Sequence, residues 1–277
     1  MKLIFLDADG TLFHHEGYVP DSAISACQKA KTNGHKIILC TGRQIAEIFG
    51  DMLKIDYDAI IAGSGATIQC EHKIIEENSF NQNEKKYLIQ YLLTNNIPAS
   101  YETKDAIYVD EKTKKLMKKM VEEQTKGLNE EDSDKHAMNI LYQQAYITKD
   151  PYQLKLNKVS FIDNHKISYR QIYHDLSEKF DVIPATFAPL GKESGEIGSY
   201  SITKATGMNT VIHYFNADIR DTIAFGDGYN DLKMFEKADY CVAMQNACQK
   251  LKNKADYITT SIDDNGIYNA FKKLNLI

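Results

Sequence analysis

The chain lacks any apolar run near the roughly 20 residues needed to span a bilayer, so a membrane protein is not expected. Its five cysteines, Cys27, Cys40, Cys70, Cys241 and Cys248, are odd in number, scattered and without CxxC spacing. That pattern argues against a disulfide framework or a thiolate zinc site and fits reduced thiols in a cytoplasm. Basic residues are not in excess either: 33 Lys and Arg stand against 38 Asp and Glu, for a net charge of -5. A nucleic-acid partner would need a concentrated basic face, whereas the lysine runs (KKLMKK, Lys85-Lys86) are interleaved with acids on helical patterns and read as solvated surface. Internal repeats and low-complexity linkers are missing. Only Lys2 precedes the first four apolar residues and acids follow directly, so no secretory leader is expected. A chain of 277 residues, 43% hydrophobic, is long enough to bury one large core or two ordinary ones.

The opening stretch LIFLDADGTL is informative. Leu3 to Leu6 form an unbroken apolar run without alternation, as in a central parallel strand covered on both faces. Asp7 and Asp9 follow, a spacing that puts both carboxylates on one side of an extended chain, and Gly10 lets the backbone turn away. Two such acids repel unless a cation or a proton intervenes. In open α/β sheets ligands gather outside the carboxyl ends of the strands.

Asp21 to Asn33 has the pattern of an amphipathic helix stopped by Gly34, KIILCTGR is a second strand, Gln44 to Leu53 has a helical pattern, and AIIAGSGATI is a third strand breaking into glycines. Strand and helix alternating at this spacing predict a right-handed parallel sheet. From about Phe80 the texture changes. Charged helical stretches (Glu84 to Asn95, Glu111 to Lys126) mix with tyrosine- and threonine-bearing strand patterns (SYETKDAIYVD, LKLNKVSFID, KFDVIPATF), and GLNEEDSDKH reads as a surface loop. The first texture returns near Ser201: a helix over Ala205 to Phe215, the strand DTIAFGDGYND, a short helix over Leu232 to Lys237, and closing strands CVAM and DYITT. The prediction is an α/β protein: a Rossmann-like, doubly wound parallel sheet core over residues 1–80 and 188–277, with an inserted α+β domain over 81–187.

Each apolar run of the outer segments ends in a polar group: Asp7 and Asp9, Thr41, Asp227 and Asp231, with Lys204 opening the helix near Ser201. Side by side, these would form a phosphate site with a divalent cation. Carboxylate oxygens with little nitrogen or sulfur suit magnesium, and Thr41 and Lys204 would donate to phosphate oxygens. In this order, DADGT, CTGR, Lys204 and GDGYND resemble the four motifs of the haloacid dehalogenase (HAD) superfamily, and YCVAMQNACQKLKNKADYITTSIDDNG is similar to the C-terminal signature of its Cof-type phosphatases. The resemblance spans nearly the whole chain and places the insert as a mobile type IIB cap.

The resemblance implies a magnesium-dependent phosphatase of small phosphorylated metabolites. Asp7 is implied as the nucleophile that becomes an aspartyl phosphate, and Asp9 as the acid and base. Magnesium is implied on the Asp7 and Asp227 carboxylates and the backbone carbonyl of Asp9, with Asp231 adding to the metal site or supporting Lys204. Thr41, Gly42, Lys204 and Asn230 are implied to touch the phosphoryl group. Two departures stand out: family members often carry Asn-Gly where this chain has Ser64-Gly65, and often an Asp where Phe225 stands. Arg43 either caps its helix or pairs with an acid, and His14-His15-Glu16 reads as a loop rather than a metal site. The leaving group is open, with Tyr101, Tyr108, Lys155 and Lys158 among the residues that could reach it. The chain is expected to be a cytoplasmic monomer or small homo-oligomer. The rival readings are a phosphomutase and a phospho-accepting receiver module; the receiver's acids lie on different strands, and it leaves the insert unexplained.

Overall fold

The computed structural model describes residues 1–185 and 188–277. The chain forms two compact units, Met1–Asn78 with Ser201–Ile277, and Ser79–Tyr200.

The first unit is built on an eight-stranded sheet. Its chain order is β1 (Leu3–Leu6), α1 (Asp21–Thr32), β2 (Lys36–Cys40), β3 (Ala59–Ala62), β4 (Thr67–Cys70) and β5 (Lys73–Glu77). After the insert, the same sheet continues with α7 (Lys204–Tyr214), β12 (Thr222–Gly226), α8 (Leu232–Lys237), β13 (Tyr240–Ala243), α9 (Gln249–Lys252), β14 (Tyr257–Ile258) and α10 (Gly266–Lys273). Strand order is β14-β13-β12-β1-β2-β3-β4-β5. All pairs from β14 to β3 are parallel, and β4 and β5 run antiparallel. The unbroken apolar run of β1 has the cause expected of it. Ile4 and Leu6 enter one core with residues of α1 and α10, while Leu3 and Phe5 enter another with residues of α7 and α8. The chain winds outward from β1 through β2 and β3, then returns on the other side of β1 as β12. That reversal is the topological switch point, where crevices form at the strand ends. Phe225, the departure near the last motif, lies fully buried in β12.

The second unit contains α2 (Gln82–Thr94), β6 (Ala99–Glu102), β7 (Ile107–Val109), α3 (Glu111–Gln124), α4 (Glu130–Lys135), α5 (Ala137–Gln144), β8 (Ala145–Ile147), β9 (Lys158–Phe161), α6 (Tyr169–Leu176), β10 (Asp181–Pro184) and β11 (Gly195–Gly198). Its sheet, β10-β11-β9-β6-β7-β8, is antiparallel except for β7 and β8. Leu88, Ile89 and Leu92 of α2 and Ile172 and Leu176 of α6 share a core with Val159 and Phe161. No helix among the described residues is long and apolar enough to cross a membrane.

Several sequence expectations change. The pattern at Gln44 to Leu53 forms two 3₁₀ turns, Ile45–Glu47 and Gly50–Lys54, because Ile48 and Phe49 are extended and Gly50 takes φ +60°. The acidic stretch is not all loop: Asn129 accepts from the Asp132 N–H at 2.9 Å and starts α4, whose first-turn acids suit the helix dipole. The β4–β5 hairpin carries no turn signature in the sequence, because its turn uses Glu71 and His72 at φ 46° and 64°, positions usually signalled by Asn or Gly. β11 pairs within the second sheet, so the chain re-enters the first unit at Ser201, beyond the expected residue 188. Of the strand pattern ending in PATF, Thr186 and Phe187 lie outside the described residues.

Candidate active site

Leu6 stands opposite Phe225, and the Asp7 N–H donates to the Phe225 carbonyl at 3.0 Å, which continues the β1–β12 ladder past the strand end. Asp7 and Asp227 therefore emerge from adjacent central strands. α7 begins with Thr203 as N-cap, whose side chain accepts from Thr206 N–H, and so delivers Lys204 at its first position. The Lys204 ammonium is fully buried and bridges Asp7 Oδ1 at 2.5 Å and Asp231 Oδ1 at 2.6 Å. The second Asp231 oxygen accepts the N–H groups of Asp227 at 3.0 Å and Gly228 at 2.9 Å, closing the turn after β12. The Asp227 carboxylate is held by Thr11 Oγ1 at 3.2 Å on one oxygen and Asn246 Nδ2 at 3.2 Å on the other. Gly10, at φ +82°, faces this carboxylate so closely that a Cβ would lie 2.3 Å from Asp227 Oδ2.

The electrostatics follow from burial and crowding. Burial, then the Asp231 charge, pushes the Asp7 carboxyl well above the usual range, with Lys204 opposing. The same two causes, in the same order, push Asp227 up to about 7. Burial would depress the Lys204 ammonium, but Asp231 and Asp7 more than reverse this and hold it well above the ordinary lysine range. Among the described residues, Asp7, Asp227 and Asp231 each offer an oxygen within 4.8 Å of the others. Three acids against one ammonium leave an excess of negative charge where water is scarce. A hard cation with oxygen ligands fits that deficit and that donor set.

Asp9 follows a turn rather than a continued extended chain. The chain leaves the extended state at Ala8, whose carbonyl accepts the N–H groups of Leu12 at 2.8 Å and Phe13 at 2.7 Å. The Asp9 carboxylate meets Arg43 in a fork, with Nε to Oδ2 at 2.9 Å and Nη2 to Oδ1 at 2.7 Å. Arg43 lies over the rings of Phe13 and Phe49 and donates to the Glu47 carbonyl, so the alternative of pairing with an acid is the one realised. Thr41 is fully buried at the end of β2; its Oγ1 accepts the Arg43 N–H at 3.0 Å, and its carbonyl accepts the Ser64 N–H at 2.9 Å. Gly42 lies between them in the chain, and Asn230 sits half-buried in the 3₁₀ turn Tyr229–Asp231. His14 is buried, its Nε2 2.9 Å from Asp263 Oδ1, as part of the loop after the first motif.

Thr11 and Asn246 join the site beyond the residues expected from the sequence. Thr11 lay inside DADGT and Asn246 inside the tail signature, so a signal existed, but their shared target, Asp227, is 216 and 19 residues away respectively.

A doubly wound sheet interrupted by an inserted unit, with a carboxylate and ammonium centre at its switch point, defines the class. The chain belongs to the haloacid dehalogenase-like hydrolases, whose family model matches residues 4–271. It is 27% identical over 281 residues to the 5-amino-6-(5-phospho-D-ribitylamino)uracil phosphatase YwtE of Bacillus subtilis, covering 96% of each chain. A haloacid dehalogenase-like hydrolase from B. subtilis has a similar structure, with TM-score 0.81 at 21% identity over 99% of this chain and 100% of that one. A HAD subclass IIB sugar phosphatase matches at TM-score 0.79 and 23% identity over the full length of both chains. The last two likenesses establish the fold.

Proposed function

We propose that the protein is a magnesium-dependent phosphomonoesterase of the cytoplasm that hydrolyses small phosphorylated metabolites through an aspartyl phosphate on Asp7. The observation that carries this reading is the buried Asp7–Lys204–Asp231 chain beside Asp227 at the switch point. Asp7 Oδ2, the oxygen not bonded to Lys204, forms the bond to phosphorus while the bond to the leaving oxygen breaks. Asp9 gives its proton to that oxygen. In the second half Asp9 takes a proton from water, the water oxygen bonds to phosphorus, the Asp7–phosphorus bond breaks, and phosphate departs. For either transfer the Arg43 fork must yield one Asp9 oxygen. Lys204 neutralises charge on the equatorial phosphoryl oxygens, with Thr41, the Gly42 N–H and Asn230 as further donors.

Magnesium would be held by the Asp7 and Asp227 carboxylates and the Asp9 backbone carbonyl, and would supply charge neutralisation at the phosphoryl group. Asp231 supports Lys204 with one oxygen and the turn after β12 with the other, and adds its negative charge to the metal site. The Ser79–Tyr200 unit acts as the cap that selects the leaving group. Support for a small phosphorylated substrate comes from the names of the uracil-derivative phosphatase relative and the sugar phosphatase neighbour. Sugar phosphates, cofactor phosphates and nucleotides form the panel to screen.

The test is phosphate release from an aryl phosphate, with magnesium and with chelator, for wild type and Asp7→Asn. Metal-dependent release that falls at least about 10³-fold in a folded variant is the expected result. Release that survives in Asp7→Asn would remove Asp7 as nucleophile.

A further inference from the structure

We propose that Asn246 is a positioning residue that fixes the Asp227 carboxylate and the Gly10 peptide in the arrangement that receives the divalent metal. The inference rests on the metal site proposed above and concerns a residue that the four motifs do not contain.

Asn246 follows β13 in a turn that the backbone ties down without its side chain. The Met244 N–H donates to the Gly226 carbonyl at 3.0 Å, the Ala247 N–H to Met244 at 2.9 Å, and the Cys248 N–H to Asp227 at 2.9 Å. The exposed Asn246 side chain is therefore available for another task. Its amide nitrogen reaches the Gly10 carbonyl at 2.9 Å and Asp227 Oδ2 at 3.2 Å. One NH₂ group has two hydrogens, and both find an acceptor here. Rotating the amide by half a turn would set its oxygen against the same two acceptors, so the orientation is fixed by the contacts.

The consequence falls on Asp227. The terminal torsion of an aspartate is broad and roughly two-fold, and nothing covalent aims this carboxylate. Thr11 grips Oδ1 from the loop after β1 and Asn246 grips Oδ2 from the turn after β13. Gly10 leaves the room that Asp227 occupies between them. Asn246 also ties the loop after β1 to the end of β12, so the Asp9–Gly10 turn and Asp227 are held as one unit. Hydrogen-bond partners behind metal ligands usually change affinity by about 10- to 100-fold when removed.

Magnesium binding is to be measured by calorimetric titration without substrate on the full chain, for wild type, Asn246→Ala and Asn246→Gln, with melting curves in the absence of metal. Asn246→Ala is expected to weaken magnesium binding about tenfold or more while the metal-free melting point hardly moves. Asn246→Gln, which keeps two amide hydrogens, is expected to lie between. Equal affinity in wild type and Asn246→Ala overturns the positioning role, as does a fall in metal-free melting with affinity retained. A wild type that binds no divalent metal overturns the metal reading itself, and this inference with it.

Discussion

Ser64 occupies a left-handed backbone position, φ 56° and ψ 29°, in the 3₁₀ turn Gly63–Gly65 that follows β3. The Cβ of an ordinary L-residue crowds the following carbonyl there, at a cost of roughly 1–2 kcal/mol, and asparagine tolerates it better. Ser64→Asn is expected to stabilise the protein by about 0.5–1 kcal/mol and to raise the melting point by about 1–3 °C; an unchanged or lower value in thermal melts would show that the hydroxyl makes up the difference. At the same scale, Lys204 shows why an ammonium can be fully buried. Its Asp7 and Asp231 partners stand at 2.5 and 2.6 Å. Removing the partners would leave an uncompensated charge worth several kcal/mol.

Between elements, the glycine turn after β3 and the start of α7 meet backbone to backbone. Gly65 takes φ +109°, and a Cβ there would lie 2.2 Å from the Thr203 carbonyl oxygen, at the cap that presents Lys204. Gly65→Ala is expected to destabilise by about 2 kcal/mol or more and to lower kcat by displacing Lys204. Gly17→Ala, at φ +91° with nothing within 4 Å of a Cβ, should cost only the backbone strain of about 1 kcal/mol. Equal losses in urea unfolding of the two variants would mean that the close approach is relaxed at little cost. This scale also separates what was legible from what was not. β1, β2 and β12 could be read because their apolar runs are local and covered on both faces, and their terminal acids go where the strands go. The Arg43 fork and the Asn246 grip depend on where turns 34 and 236 residues away come to rest, which no local pattern encodes. The β4–β5 hairpin was hidden by a Glu71-His72 turn, and the pattern after Gln44 was cut short by extended Ile48 and Phe49.

Across the molecule, the parallel sheet with helices on both faces and the interrupting insert could be inferred from the change of texture, while the return at Ser201 required knowing that β11 pairs inside the second sheet. The cysteines act at this scale too. Burial pushes the thiols of Cys27 and Cys241 up to about 12 and that of Cys70 up to about 11, from an ordinary value near 9. A raised folded value means that the neutral thiol is favoured by the fold. Its stabilising contribution is complete below pH 9 and is lost as pH climbs from there toward 11 and 12, because the unfolded chain releases the proton first. Unfolding midpoints in urea are expected to fall steadily above about pH 9, with Cys27→Ala showing a shallower fall; a flat profile between pH 9 and 11 would contradict it. The central claim, that phosphate passes through Asp7, is tested most directly by locating the phosphorylated residue. Labelled aryl phosphate is mixed with Asp9→Asn protein, the reaction is quenched in acid, and the hydroxylamine-labile label is mapped to a peptide. The expected result is label on the peptide containing Asp7 and none when Asp7→Asn is added to the same protein. Label on another residue, or turnover by Asp9→Asn protein that never carries label, would contradict the account.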